Sequence, residues 1–120
     1  NKDIMSNAAA LREQKCQRQV TALNADEVSE RLQAISNWSL QDGKIVRKFS
    51  FQNYYDTLAF VNAIAYVIHA EDHHPELVVT YNQCVVKYDT HSVNSGKGGL
   101  SQNDFSCAAK LDAIFDQSFV

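Results

Sequence analysis

The chain has 120 residues, 45% of them hydrophobic and 21% charged, with a formal net charge of −3 at pH 7. That length and apolar content describe one globular domain with a core of its own, and no second domain is expected. The negative charge counts against nucleic acid as a partner, because phosphate binding requires clustered cations. The only basic cluster, Arg12 to Arg18, is diluted by glutamines and Glu13. The longest apolar run, Leu58 to Ile68, is interrupted by Asn62 and is too short to cross a bilayer, so no membrane partner is expected. Cys16, Cys84 and Cys107 are odd in number and widely spaced. They read as reduced thiols, which suits a cytoplasmic protein better than a disulfide framework does.

Residues 1–22 read as a peripheral N-terminal extension with a helix possible between Ala8 and Val20; the domain itself is expected over 23–120. Asn24 is placed to cap a helix whose first turn carries Asp26 and Glu27 and whose apolar stripe is Val28, Leu32 and Ile35. Two strands, Trp38 to Leu40 and Lys44 to Phe51, flank Asp42-Gly43, a dipeptide suited to the positive φ angles of a tight hairpin. In the second of them Ile45, Phe49 and Phe51 share a face, with Arg47 as the exception. The next helix is expected from about Asn53 to His69, apolar on two faces, the second of which would meet another subunit. Pro75 disfavours helical geometry at His74 and ends it near His73. Leu77 to Tyr81 and Cys84 to Asp89 form a second hairpin turning at Asn82-Gln83. Ser101 with Asp104 three residues later opens a final helix to about Gln117. The order α-β-β-α-β-β-α predicts an α+β fold: a four-stranded antiparallel sheet with three helices packed on one face.

Chemistry concentrates in Glu71-Asp72-His73-His74-Pro75-Glu76. Three of the four histidines, His69, His73 and His74, lie within six residues, and His91 stands at the end of a strand. Imidazole exchanges protons near neutrality, so several around one pocket could act as acid and base, each contributing about 10²–10⁴-fold when positioned. At a helix-to-strand corner His73 and His74 can point in different directions around such a pocket, and His91 approaches it if the fourth strand lies beside the third. The bland alternative is a solvated helix end. A metal site competes too: His69 and His73 would share a helix face, with His91 or Asp104 as a further ligand. Ala70, however, stands where a helical HExxH motif has its glutamate, so no metal is expected. Asp104 reads equally as a helix cap and as a pocket residue. Gly96-Lys97-Gly98-Gly99 lacks the spacing of a phosphate loop and reads as a flexible connection.

These motifs, in order, resemble the pterin-4a-carbinolamine dehydratases: Glu71 to Glu76, then Val79-x-Tyr81-Asn82, Thr90-His91, and Gly99-Leu100-Ser101 with Asp104. The resemblance runs from about Leu23 to Gln117. It implies dehydration of 4a-hydroxytetrahydrobiopterin to the quinonoid dihydropterin, recycling the pterin used by aromatic amino acid hydroxylases, with no metal or organic cofactor. It implies His73 and His91 as the acid/base pair and His74 as a ring-binding residue. Asp72, Asp89, Thr90 and Ser92 would line the site, with His69, Pro75 and Asp104 in support. It further implies a homotetramer and, from animal relatives, a possible transcription-factor partner, which would add a nuclear location. Two departures stand out: His69 occupies a position where some members carry glutamate, and the Ser92 to Lys97 segment is longer than the usual link.

Overall fold

The computed structural model describes residues 7–120, so the first six residues of the expected extension lie outside it. Four helices and four strands are present among the described residues: α1 (Ala8–Glu13), α2 (Ala25–Ala34), β1 (Ser39–Gln41), β2 (Lys44–Ser50), α3 (Tyr54–Glu71), β3 (Glu76–Val79), β4 (Gln83–Tyr88) and α4 (Gln102–Ser118). A single turn of 3₁₀ helix, Asn94–Gly96, interrupts the loop after β4. The strands form one antiparallel sheet in the order β1-β2-β4-β3. The α+β fold, with helices packed on one face of a four-stranded sheet, is as the sequence predicts; α1 is an added fourth helix.

Local chemistry accounts for each boundary. The Asn24 side chain accepts the Glu27 N–H at 2.9 Å while the Glu27 carboxylate accepts the Asn24 N–H at 2.9 Å, a reciprocal cap on α2. Asp42 and Gly43 both take positive φ, 51° and 78°, matching the twist of the β1–β2 hairpin. The second hairpin turns around Tyr81-Asn82, with Val79 paired to Cys84 and the Thr80 N–H donating to the Gln83 carbonyl at 2.9 Å. Helix α3 runs two residues past His69 and stops at Asp72, whose left-handed conformation (φ 51°, ψ 42°) turns the chain ahead of Pro75.

The core lies between sheet and helices. Phe49 packs on Phe60 and Phe115 with ring centroids 4.6 and 5.1 Å apart, in the tilted geometry aromatic pairs favour. Arg47, the polar residue on the inward face of β2, is explained by its partner. Its guanidinium donates to the Asp112 carboxylate at 2.6 Å and lies 4.3 Å from the Phe49 ring centroid. Trp38 Nε1–H donates to the same carboxylate at 2.8 Å. A buried charge is tolerated here because it is paired and hydrogen-bonded.

The described part of the N-terminal segment packs onto the rest of the domain. Leu11 is fully buried in the main core, a burial that stabilises by about 1.5–3 kcal/mol. Helix α1 packs against α4, and it ends at Glu13 rather than continuing to Val20. Beyond it the backbone finds partners elsewhere: the Cys16 N–H donates to Glu71 at 2.8 Å and the Gln17 N–H to the Asn103 side chain at 3.0 Å. Residues 14–22 therefore form an extended strap across the start of α4. The loop after β4 fastens its end, with the Asn94 N–H donating to the Val20 carbonyl at 2.8 Å and the Ala22 N–H to the Asn94 side chain at 3.2 Å. Gly99 is where the two segments touch most closely; a Cβ there would sit 2.7 Å from that of Ala22.

Candidate active site

The corner between α3 and β3 delivers His73 inward. After Asp72 turns left-handed the chain becomes extended, and successive side chains of an extended segment take opposite sides. His73 is accordingly buried to 12% side-chain exposure, whereas His74 stays 71% exposed. The His73 ring stacks on Tyr88 with centroids 5.2 Å apart and an interplanar angle of 8°. The Tyr88 hydroxyl donates to the His73 backbone carbonyl at 3.3 Å. Ring and backbone are both held.

Asp104 completes the anchor. Its Oδ1 lies 2.6 Å from His73 Nε2, and its Oδ2 accepts the Thr90 hydroxyl and the Ser101 N–H, each at 2.9 Å. The two roles left open for Asp104 are thus filled by one carboxylate, which caps α4 through one oxygen and holds the histidine through the other. The Thr90 and Ser101 hydroxyls are 2.7 Å apart, so the group is a closed network with no exposed surface on Asp104. Burial works against protonation of His73, but the hydrogen bond and charge of Asp104 outweigh it and raise its pKa above the ordinary 6.5. With Nε2 committed to Asp104, Nδ1 is the nitrogen left to exchange a proton.

A cavity of about 350 Å³ opens at this histidine. Asp72, His73, Thr90 and Ser92, all expected at the site, line it together with Glu71, Asn103 and the strap residues Cys16, Gln17, Arg18 and Gln19. The volume is in the range of small-molecule sites. His74, His91 and Asp89 are not among its lining residues. His74 pairs with Asp72 at 3.3 Å, and His91, 84% exposed, pairs with Asp89 at 3.4 Å. Alternation again gives the reason: Thr90 faces inward to Asp104, so His91 beside it faces out. His69 is exposed on the last turn of α3 and Pro75 is half-buried at the corner. His69 and His73 do not share a helix face, because the helix ends between them. Among the described residues, no group of three or more His, Cys, Asp or Glu side chains could hold a metal ion.

The strap and Asn103 were not foreseen as site residues. Nothing local marks them, since their contacts link positions 86 residues apart, such as the Asn103 side-chain amide donating to the Gln17 carbonyl at 2.6 Å. Glu71 was visible in the motif, but its partner was not.

Comparison with known proteins follows the same motifs. The family model described as Pterin 4 alpha carbinolamine dehydratase matches residues 21–114. The chain belongs to the pterin 4 alpha carbinolamine dehydratase family. It is by that membership an enzyme of the hydro-lyase class. A relative in Bdellovibrio bacteriovorus, named for pterin-4-alpha-carbinolamine dehydratase, is 57% identical over 98 residues, 82% of each chain. One of the same name in Nitrosomonas europaea is 49% identical over 115 residues, covering 92% of this chain and 98% of its own. Among solved structures, a transcriptional coactivator/pterin dehydratase from Brucella melitensis superposes with a TM-score of 0.71 at 32% identity. That match covers 78% of this dehydratase-family chain and 98% of the other. No helix among the described residues is long and apolar enough to cross a membrane.

Proposed function

We propose that the chain dehydrates 4a-hydroxytetrahydrobiopterin, breaking the C4a–O bond and removing the N5 proton to give the quinonoid dihydropterin and water. The observation that carries this reading is the His73 imidazole, fixed by Asp104 and Tyr88 at the wall of a cavity large enough for a pterin ring. Elimination of water needs a proton for the leaving hydroxyl and a base for N5, both roles open to a histidine whose pKa is raised above its ordinary value by Asp104. His73 Nδ1 supplies one of these transfers. His91 supplies the other from the rim, since it stands between Thr90, bonded to Asp104, and Ser92, which lines the cavity. His74 orients the ring, and Asp72, Asp89, Thr90 and Ser92 offer polar contacts. No metal or organic cofactor takes part, and the product re-enters the pterin cycle of an aromatic amino acid hydroxylase in the cytoplasm.

Two surfaces support assembly as a homotetramer. Tyr55, Leu58 and Tyr66 leave an apolar face of α3 exposed, and β3 is a sheet edge with Val78 and Val79 partly exposed. The Brucella melitensis neighbour's name also pairs coactivator with dehydratase, and the same α3 face would suit a transcription-factor partner. The deciding test is a dehydration assay on purified protein with and without chelator, together with a solution mass. Acceleration over the spontaneous rate, unaffected by chelator, is expected. A rate equal to the spontaneous one sinks the catalytic reading, and loss of rate with chelator sinks the metal-free one.

A further inference from the structure

Two of the three thiols of this chain lie together beside the catalytic cavity. Cys16 Sγ and Cys107 Sγ are 3.4 Å apart although 91 residues separate them in sequence. Cys16 belongs to the strap and lines the cavity; Cys107 is fully buried on α4. Cys84, buried in β4, has no such neighbour among the described residues. Nothing in the proposed dehydration uses either sulfur.

We propose that Cys16 and Cys107 are a modification site: a thiol pair that a two-electron oxidant, such as hydrogen peroxide, converts reversibly to a disulfide tying the strap to α4. The two sulfurs are in direct contact, and one of them sits on an extended segment rather than within a helix or strand, so it can make the last approach. The strap's other ties already hold Cys16 in place, through its N–H to Glu71 and the Gln17–Asn103 exchange next to it.

Position assigns the order of events, since Cys16 lines the cavity and Cys107 lies fully buried behind it. The contact with Cys16 pulls the Cys107 thiol below its ordinary range against the opposing effect of burial; His73 and the Tyr88 hydroxyl add to the pull. The same contact pushes Cys16 upward, so Cys107 is the thiol readier to attack its neighbour once that sulfur is oxidised. Cys16 Sγ, at the cavity, attacks one peroxide oxygen, the O–O bond breaks, and the thiol proton leaves with the other oxygen as water. Cys107 Sγ then attacks the sulfenic sulfur, the S–O bond breaks, and the hydroxyl departs with the Cys107 proton as a second water. Each sulfur gives up one electron and the peroxide accepts two.

The outcome is a fixed cavity wall, because residues 16–19 supply one side of the cavity at His73. A bridge closing so long a loop also restricts the unfolded chain. The test is to treat the full chain with hydrogen peroxide, block remaining thiols with an alkylating agent, and map peptides by mass. A Cys16–Cys107 disulfide, one alkylated Cys84, return of all three thiols with dithiothreitol, and a melting temperature higher by about 10 °C are expected. Cys84→Ser should form the bridge as wild type does, and Cys16→Ser, a near-isosteric change at the half-buried partner, should show neither bridge nor shift. Three alkylatable thiols after treatment, or Cys16 carried to sulfinic acid with no bridge, would overturn the proposal whether or not the chain proves to be a dehydratase.

Discussion

His73 and His91 each face a carboxylate, yet the two pairs are physically different objects. His73 meets Asp104 at 2.6 Å with almost no water around either group, inside a network closed by Thr90 and Ser101. His91 meets Asp89 at 3.4 Å with its ring in solvent, and His74 with Asp72 repeats that arrangement. An exposed ion pair at such distances contributes little and fixes no geometry. A buried pair with every remaining acceptor satisfied holds its ring in one orientation and tunes its proton affinity. Proximity in sequence thus says little about equivalence in chemistry: the adjacent His73 and His74 lie on opposite sides of the same contrast.

The comparison is broken most severely at His73. Replacing it with Ala should lower the dehydration rate by about 10²–10⁴-fold while circular dichroism and solution mass stay those of the wild type. Unchanged turnover in a folded His73→Ala protein would place the chemistry elsewhere.

Asp104→Asn attacks the anchor instead of the ring. It keeps the volume but weakens both the His73 contact and the Ser101 cap, so denaturant unfolding should show a loss of about 1–3 kcal/mol. The gap should also depend on pH. Because the folded-state pKa of His73 is raised, the pair's charge contribution is fully present below about pH 6.5, the unfolded value. It is lost as pH rises through the higher folded value. Melting curves of wild type and Asp104→Asn should therefore draw closer as pH rises from 6.5 through that folded value, and a gap that widens there would contradict the assignment.

Effects at the exposed pairs should be smaller. His91→Ala should slow dehydration about tenfold, less than a firmly positioned acid or base would cost. His74→Gln should leave stability within about 0.5 kcal/mol and raise KM more than it lowers kcat, as expected of a residue that orients substrate. A His91→Ala loss equal to that of His73→Ala would show that the rim histidine is held in the substrate complex as firmly as the inner one.

The sequence made legible whatever is decided within a few residues. Asn24 with Glu27, Asp42-Gly43, and the helix end ahead of Pro75 are local devices, and the structure contains each of them. Asp104 could be read from Ser101-x-x-Asp104 as a cap, and the family motif set it beside the histidines. Its double service, with one oxygen for each role, required knowing that α4 begins where β4 ends against the His73 corner. Arg47 looked like an exception because its partner Asp112 meets it only when α4 crosses the sheet. The strap was hidden most deeply: its Gln- and Arg-rich stretch lacks periodicity, and its contacts to Glu71, Asn103 and Cys107 depend on tertiary pairing over 55, 86 and 91 residues. Which histidine faces inward followed from alternation in an extended segment, and its phase was set by the left-handed Asp72.

The most direct test of the contrast between inner and outer histidines is an NMR titration of the imidazole resonances in wild type and Asp104→Asn. The wild-type His73 resonance should titrate above 6.5, and removing the Asp104 charge should bring its midpoint down, since burial is then opposed only by the smaller pulls of Cys107 and Asp89. A wild-type His73 that titrates at or below 6.5, or one that keeps its midpoint in Asp104→Asn, would contradict the account.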